Sequence, residues 1–217
     1  MKKAVIFDMD GVLVDNRDYH IEAFNIMFAR HGLSATYDQM LQSFGKVNQQ
    51  IFDDTFGKGR FTKEEVVVMG AEKEELYREI FDKKIAPAPG LISLLKGLKE
   101  RGIKIAVGSS GPRRNVEYVL ERCGITEYFD AIADGDMISK GKPDPEVFLL
   151  AAKLLNADPA DCIVFEDAIV GIQAGKSAGM TVIAMSTTFP AEMLEGTGYD
   201  RLIHSFTEID ASIVEQY

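Results

Sequence analysis

The chain has 217 residues, with 34 Asp+Glu against 24 Lys+Arg and a formal net charge of −10. That balance argues against a nucleic-acid partner, which needs a basic face, and against binding to an anionic membrane surface. A hydrophobic content of 46% with 27% charged residues is ordinary for a globular protein, and a chain of this length buries roughly 70% of its unfolded surface, enough for a self-sufficient core.

The first apolar run, Lys3–Phe7, reads as a strand and stops at Asp8. It is far shorter than the ~7–15 residues of a secretory h-region, so no leader is expected. No stretch approaches the ~18 apolar residues of a membrane span, so no membrane partner is expected either. The two cysteines, Cys123 and Cys162, read as free thiols in a reducing compartment. The expected address is the cytoplasm and the expected state a monomer.

Residues 16–83 hold no convincing strand. Apolar spacing predicts helices over Tyr19–Arg30, Tyr37–Ser43, Asn48–Phe56 and Lys63–Asp82. Pro87–Gly90 then marks a turn and a helix start. Beyond it, strand-like runs at 103–107, 131–133, 162–165, 181–185 and 201–204 alternate with helical patterns at 90–101, 113–123, 145–156 and 168–178. Near-continuous apolar strands alternating with helices predict an α/β fold, a Rossmann-like doubly wound parallel sheet. The helical module is expected as an inserted all-helical cap domain (16–83), dividing the core into residues 1–15 and 84–217.

The chemistry-bearing residues stand at strand ends, where open α/β sheets bind ligands. Asp8-Met9-Asp10-Gly11 follows the first strand. Two acids so close repel unless a cation or shared proton separates them, which invites Mg²⁺; the same residues are also good turn formers. Glu166-Asp167 ends a later strand and offers a second acidic pair, although Asp167 also reads as a helix cap. Ser109-Ser110-Gly111 places hydroxyls and helix N-terminal N–H groups where phosphate binds, or forms an ordinary capped turn. Lys142 lies in a loop stiffened by Pro143 and Pro145, either facing an anion or simply solvated. Gly175-Lys176-Ser177 is not a nucleotide-binding loop, because Val170 stands where that pattern needs glycine and the segment reads as mid-helix.

These four strand-end signals, in this order and over essentially the whole chain, resemble the haloacid dehalogenase superfamily, specifically the subgroup with a small helical cap that includes β-phosphoglucomutase and phosphoglycolate phosphatase. The family's first motif matches Asp8–Leu13, its second Ser109, its third Lys142 before Pro-x-Pro, and its fourth Glu166-Asp167 running into Gly171–Gly175. The resemblance implies that Asp8 attacks phosphorus and that Asp10 acts as general acid and base. It implies Mg²⁺ as cofactor, held by Asp8, the Asp10 carbonyl and Asp167 with Glu166 close by. Ser109, Ser110, Lys142 and Asn115 would hold the phosphate. Asp10 favours phosphoryl transfer over dehalogenation, because an alkoxide leaving group needs a proton and a halide does not.

Within the cap, His20 and Lys73 resemble substrate residues of the phosphoglucomutase. That enzyme carries an arginine where this chain has the stretch containing Lys46 and Asn48. The fourth motif also departs slightly, with Ala168 where serine is common. The expected function is a Mg²⁺-dependent phosphatase of a small phosphorylated metabolite, such as a sugar phosphate. A phosphosugar mutase and a non-catalytic anion-binding module are the alternatives. Joints near Val14–Asn16 and Lys83–Pro87 would let the cap close over the site.

Overall fold

In the computed structural model, which describes residues 2–217, the first apolar run folds as β1 (Ala4–Phe7). Met1, the first residue of the expected core, lies outside the described residues. Four helices follow without an intervening strand: α1 (Arg17–Arg30), α2 (Tyr37–Gln42), α3 (Asn48–Phe56) and α4 (Lys63–Phe81). The alternation then runs α5 (Leu91–Glu100), β2 (Lys104–Gly108), α6 (Arg113–Arg122), β3 (Ala131–Ala133), α7 (Glu146–Leu154), β4 (Cys162–Glu166), α8 (Ile169–Ser177), β5 (Thr181–Met185), α9 (Ala191–Leu194) and β6 (Arg201–Ile203). Each element expected from the sequence is present, with ends displaced by one or two residues. The short α9 was not anticipated, because four residues carry too little period to read.

All strand pairs are parallel, and the sheet order is β3-β2-β1-β4-β5-β6. Successive strand side chains point to opposite faces. In β1, Val5 and Phe7 join one buried cluster, with Leu95 of α5 and Val119 of α6. Ala4 and Ile6 join the other, with Phe148 of α7 and Ile172 of α8. The second face is rich in alanine (Ala4, Ala106, Ala133, Ala184), which lets α7 approach closely. On the first face Phe7 stacks on Phe165 with ring centroids 5.0 Å apart, and Phe206 meets both rings edge-on at 5.9 and 5.2 Å. Aromatic pairs of this geometry add to the burial energy of large side chains.

The helical insertion has its own aromatic centre. Phe28, Phe52, Phe56 and Phe61 pack edge-on or tilted at 5.0–6.1 Å. Capping boxes at Thr36 and Thr62 start α2 and α4 by satisfying their first N–H groups. Cys123 and Cys162 are free, and burial pushes both thiols up to about 11. Among the described residues, no helix is long and apolar enough to cross a membrane.

Phe206 is buried, none of the residues expected at the site is near it in sequence, and its ring meets both central rings. Phe206→Ala should therefore lower the unfolding free energy by about 3–5 kcal/mol, the usual cost of deleting a buried ring. Urea denaturation followed by circular dichroism measures it. A loss below about 1 kcal/mol would show that this aromatic cluster does not organise the core.

Candidate active site

The strand order reverses at β1: β2 and β3 lie on one side of it and β4 to β6 on the other. In such sheets the crevice at that reversal, beyond the carboxyl ends, is the binding site. Asp8 and Glu166-Asp167 stand there, on adjacent strands. The Asp8 amide extends the ladder by donating to the Phe165 carbonyl at 2.9 Å. The Ser109 amide does the same at the end of β2, donating to Ala133 at 3.0 Å. These backbone bonds fix the side chains that follow.

Lys142 is the centre of the arrangement. Its ammonium is wholly buried and donates to Asp8 Oδ1 at 2.6 Å and to Glu166 Oε1 at 2.6 Å, with the Phe148 ring 4.7 Å away. Burial opposes its charge, but Asp8 and Glu166 outweigh burial and raise it above the ordinary lysine value. Asp8 is pushed up to about 8, mainly by burial; Lys142 opposes this, while Glu166 and Asp10 add to it.

Glu166 takes a different place from the metal ligand expected of it. One oxygen accepts from Lys142 and the other from the Ala168 amide at 2.7 Å. Both are occupied, so Glu166 stands behind Lys142 as its counter-ion. Gly171 makes this possible, because a Cβ there would strike the Glu166 carboxylate.

Asp167 is buried, and its Oδ2 has no hydrogen-bond partner. Burial, then Glu166 and Asp8, raise it well above the ordinary carboxylate value, against the Thr188 hydroxyl. Its oxygen lies over Gly11, whose φ of +76° lies in the left-handed region and whose missing Cβ leaves room for it. Among the described residues, no three His, Cys, Asp or Glu side chains form a metal cluster. The donors are therefore two carboxylates with mutual repulsion and an orphaned buried oxygen. That set fits a hard cation such as Mg²⁺, which takes one or two carboxylates and fills the rest of its shell with water and substrate oxygens.

Asp10 points toward the insertion. Its Oδ1 accepts from Asn16 Nδ2 at 2.6 Å and lies 3.2 Å from His20 Nε2. His20 stacks on Tyr77 with centroids 3.8 Å apart, and its Nδ1 lies 2.7 Å from Lys73 Nζ. The ammonium can only donate, so the neutral imidazole that satisfies both contacts accepts at Nδ1 and donates from Nε2 to Asp10. Burial works against the Asp10 carboxylate, yet His20, Asn16 and Lys73 hold it below its ordinary value.

One cavity is lined by Asp8, Asp10 and Asp167 together with His20, Lys73, Lys46, Asn48, Ser110 and Asn115. Ser109 is buried just behind it, its Oγ accepting from the Gly111 amide at 3.0 Å. Three of the expected ligand-binding groups are already engaged. Ser110 donates to the Gly45 carbonyl at 2.8 Å, and Lys46 pairs with Asp54 at 2.7 Å. Asn115 accepts from Arg78 at 2.5 Å and donates to Glu74 at 2.7 Å. Asn16, Glu74, Tyr77, Arg78 and Thr188, none of them expected from the sequence, also stand at the site. Only Thr188 carried a signal, a run of hydroxyls (Ser186-Thr187-Thr188) after a strand, as at Ser109.

A family model for haloacid dehalogenase-like hydrolases matches residues 2–179. The β-phosphoglucomutase of Bacillus subtilis is 36% identical over 197 residues, covering 87% of this chain and 85% of that protein. The validoxylamine A 7'-phosphate phosphatase of Streptomyces hygroscopicus subsp. limoneus is 34% identical over 211 residues, covering 96% of each. A crystal structure of β-phosphoglucomutase from Clostridium difficile superposes with a TM-score of 0.89 at 32% identity, covering all of this chain and 96% of that one. The chain spans only 19% of the length of a longer chloroplastic relative from Arabidopsis thaliana. The chain belongs to the haloacid dehalogenase-like hydrolases and is an enzyme, which removes the non-catalytic alternative.

The carboxylate repulsion has a consequence for stability. Between the ordinary value of 3.8 and about 8, folded Asp8 binds more protons than unfolded Asp8, so this group makes stability fall as pH rises through that window. Lys142, being raised, contributes a loss only at still higher pH. In EDTA the melting temperature should be lower at about pH 8 than at about pH 5, and excess Mg²⁺ should restore it at the higher pH by binding the ionised carboxylates. No response of the melting temperature to Mg²⁺ at about pH 8 would contradict a cation site between Asp8 and Asp167.

Proposed function

We propose that this enzyme is a Mg²⁺-dependent phosphatase of a small phosphorylated metabolite, a sugar phosphate, acting through an aspartyl-phosphate on Asp8. The observation that carries the reading is the Lys142 ammonium between Asp8 and Glu166 beside the unpartnered Asp167 oxygen. A carboxylate so placed is positioned to react and short of one cation.

In the proposed first step an Asp8 oxygen attacks phosphorus and the bond to the leaving oxygen breaks. Splitting the displacement in two lowers each barrier. Lys142, Ser109 and the amides that open α6 supply donors to the non-bridging oxygens, which carry the charge of the loose transition state. The leaving alkoxide takes a proton from Asp10. Asp10 is held ionised at rest, so its proton comes from the Lys73 ammonium through His20, Nδ1 taking one proton as Nε2 gives another, and the proton that Asp10 takes from water in the second step returns by the same route. In the second step Asp10 accepts a proton from water, water oxygen bonds to phosphorus, and the phosphorus–Asp8 bond breaks. The sum is ester plus water to alcohol plus phosphate. Bound Mg²⁺, held by Asp8, Asp167 and the Asp10 carbonyl, would screen Asp8 from the phosphate and neutralise charge on the transferring group.

The helical insertion, residues 16–83, is proposed as the cap that shapes the leaving-group side. It supplies His20, Lys73 and Asn48 to the cavity. The similarity to the validoxylamine A 7'-phosphate phosphatase, at 34% identity over nearly the full length, supports a small phosphorylated substrate.

Phosphate release from a panel of sugar and nucleotide phosphates, measured with Mg²⁺ and with EDTA, tests the reading. Turnover should require Mg²⁺ and favour sugar phosphates. Asp8→Asn should lower kcat by about 1,000-fold or more while circular dichroism shows the fold retained. Substantial Mg²⁺-dependent hydrolysis by that variant would remove Asp8 as nucleophile.

A further inference from the structure

The cavity has a second wall, opposite the strand-end carboxylates, built by the insertion. Ile21, Phe24, Phe44 and Ile51 form an apolar surface there. Asn48 offers an amide, kept against α4 because Gly70 has no Cβ to displace it. The charges of this wall cancel in pairs. Lys73 Nζ lies 3.0 and 3.2 Å from the two oxygens of Glu74, and both residues are buried. Lys46 is paired with Asp54. Arg78, just outside, donates to Asn115. Among the described residues, no lysine or arginine lining this wall lacks a partner.

Glu74 is the unusual member. A carboxylate in a phosphate-binding cavity repels the ligand it should hold. Burial works against its charge, but Lys73, then His20 and Asn115, keep it below the ordinary range, so it is an anion. It accepts two contacts from Lys73 and one from Asn115, of about four that a carboxylate can take. Glu74, Asn48, Ser110 and Pro112 also line the groove that adjoins the cavity, so a ligand entering from that side passes Glu74.

We propose that Glu74 is a specificity-determining residue: it restricts this site to phosphate monoesters whose alcohol part is uncharged, and it rejects bisphosphates. The remaining acceptor position of Glu74 takes a hydroxyl of the leaving group, and the apolar surface takes the less polar face of a ring. A second phosphate would meet the Glu74 carboxylate, whose nearest cation, Lys73, is already held between it and His20. Selectivity often rests on a repulsive element of this kind. The inference rests on the hydrolase reading above and narrows its substrate.

Inhibition of p-nitrophenyl phosphate hydrolysis by glucose 6-phosphate and by glucose 1,6-bisphosphate tests it, because an inhibition constant needs no turnover of the sugar. In the wild-type enzyme the bisphosphate should bind about 100-fold more weakly than the monophosphate, the order expected for one desolvated like-charge contact. Without that contact the extra phosphate would favour binding. Glu74→Gln keeps the shape, removes the anion and frees the Lys73 charge, so the gap should narrow by about tenfold or more. The ratio of the two constants is read within each protein, so a general loss of activity does not affect it. Glu79→Gln, at an exposed position on the same helix, should keep the wild-type ratio. Equal affinity of the wild type for both esters, or an unchanged gap in Glu74→Gln, would overturn the proposal. Failure to hydrolyse p-nitrophenyl phosphate at all would instead overturn the hydrolase reading, and calorimetric binding of the same two esters would then decide the role of Glu74.

Discussion

A buried lysine between two carboxylates is the constraint on which the site depends. A lone ammonium without solvent is prohibitively unfavourable, and so is a lone carboxylate. Lys142, Asp8 and Glu166 are tolerable only together, with Glu166 further satisfied by the Ala168 amide. Breaking such a group by removing one partner is far more costly than the group is worth as a stabiliser. The triad thus locks the ends of β1 and β4 to the loop before α7, three parts of the chain more than a hundred residues apart at their extremes. Asp167 makes no hydrogen bond to Lys142, and its unpartnered buried oxygen suits the crevice to a cation.

The same logic extends into the insertion, where a second set of buried charges is balanced separately. Asp10 is answered by His20 and Asn16 of the α1 entry, and Glu74 by Lys73 and Asn115. The two sets are linked through His20, which touches Asp10 with one nitrogen and Lys73 with the other. The contacts between α4 and α6 run through Asn115, which serves Glu74 and Arg78 at once, and through Tyr118, which donates to the Arg78 carbonyl at 3.2 Å. Movement of the insertion relative to the sheet would therefore alter the surroundings of the proposed acid directly. The proposed general acid, held ionised at rest and contacted by the proposed cap, would tie proton delivery to enclosure.

Much of this is legible in the sequence. The alternation of apolar runs with helical spacing specified a parallel sheet, because a strand buried on both faces has no polar side to show. The strand-end acids, Ser109 and Lys142 stood out because loops at those ends carry function while the strands carry packing. The helical segment was visible as a gap in the alternation.

What the sequence determined by itself is the order of elements and the residue types delivered to the sheet edge, since both follow from local periodicity and from which residues end each strand. Only the tertiary structure decided how those residues divide the work. Glu166 and Asp167 are neighbours in sequence and alike in chemistry, yet one is spent on Lys142 and the other is left open, because consecutive residues at a strand end point in different directions. Asn115, which reads as a phosphate ligand, is engaged by Glu74 and Arg78, some forty residues away in sequence. Glu74 reads as one more charge on a helix face and is instead a buried anion facing the cavity. Which polar side chain is satisfied, and by what, depends on packing between distant segments, and no local pattern encodes it.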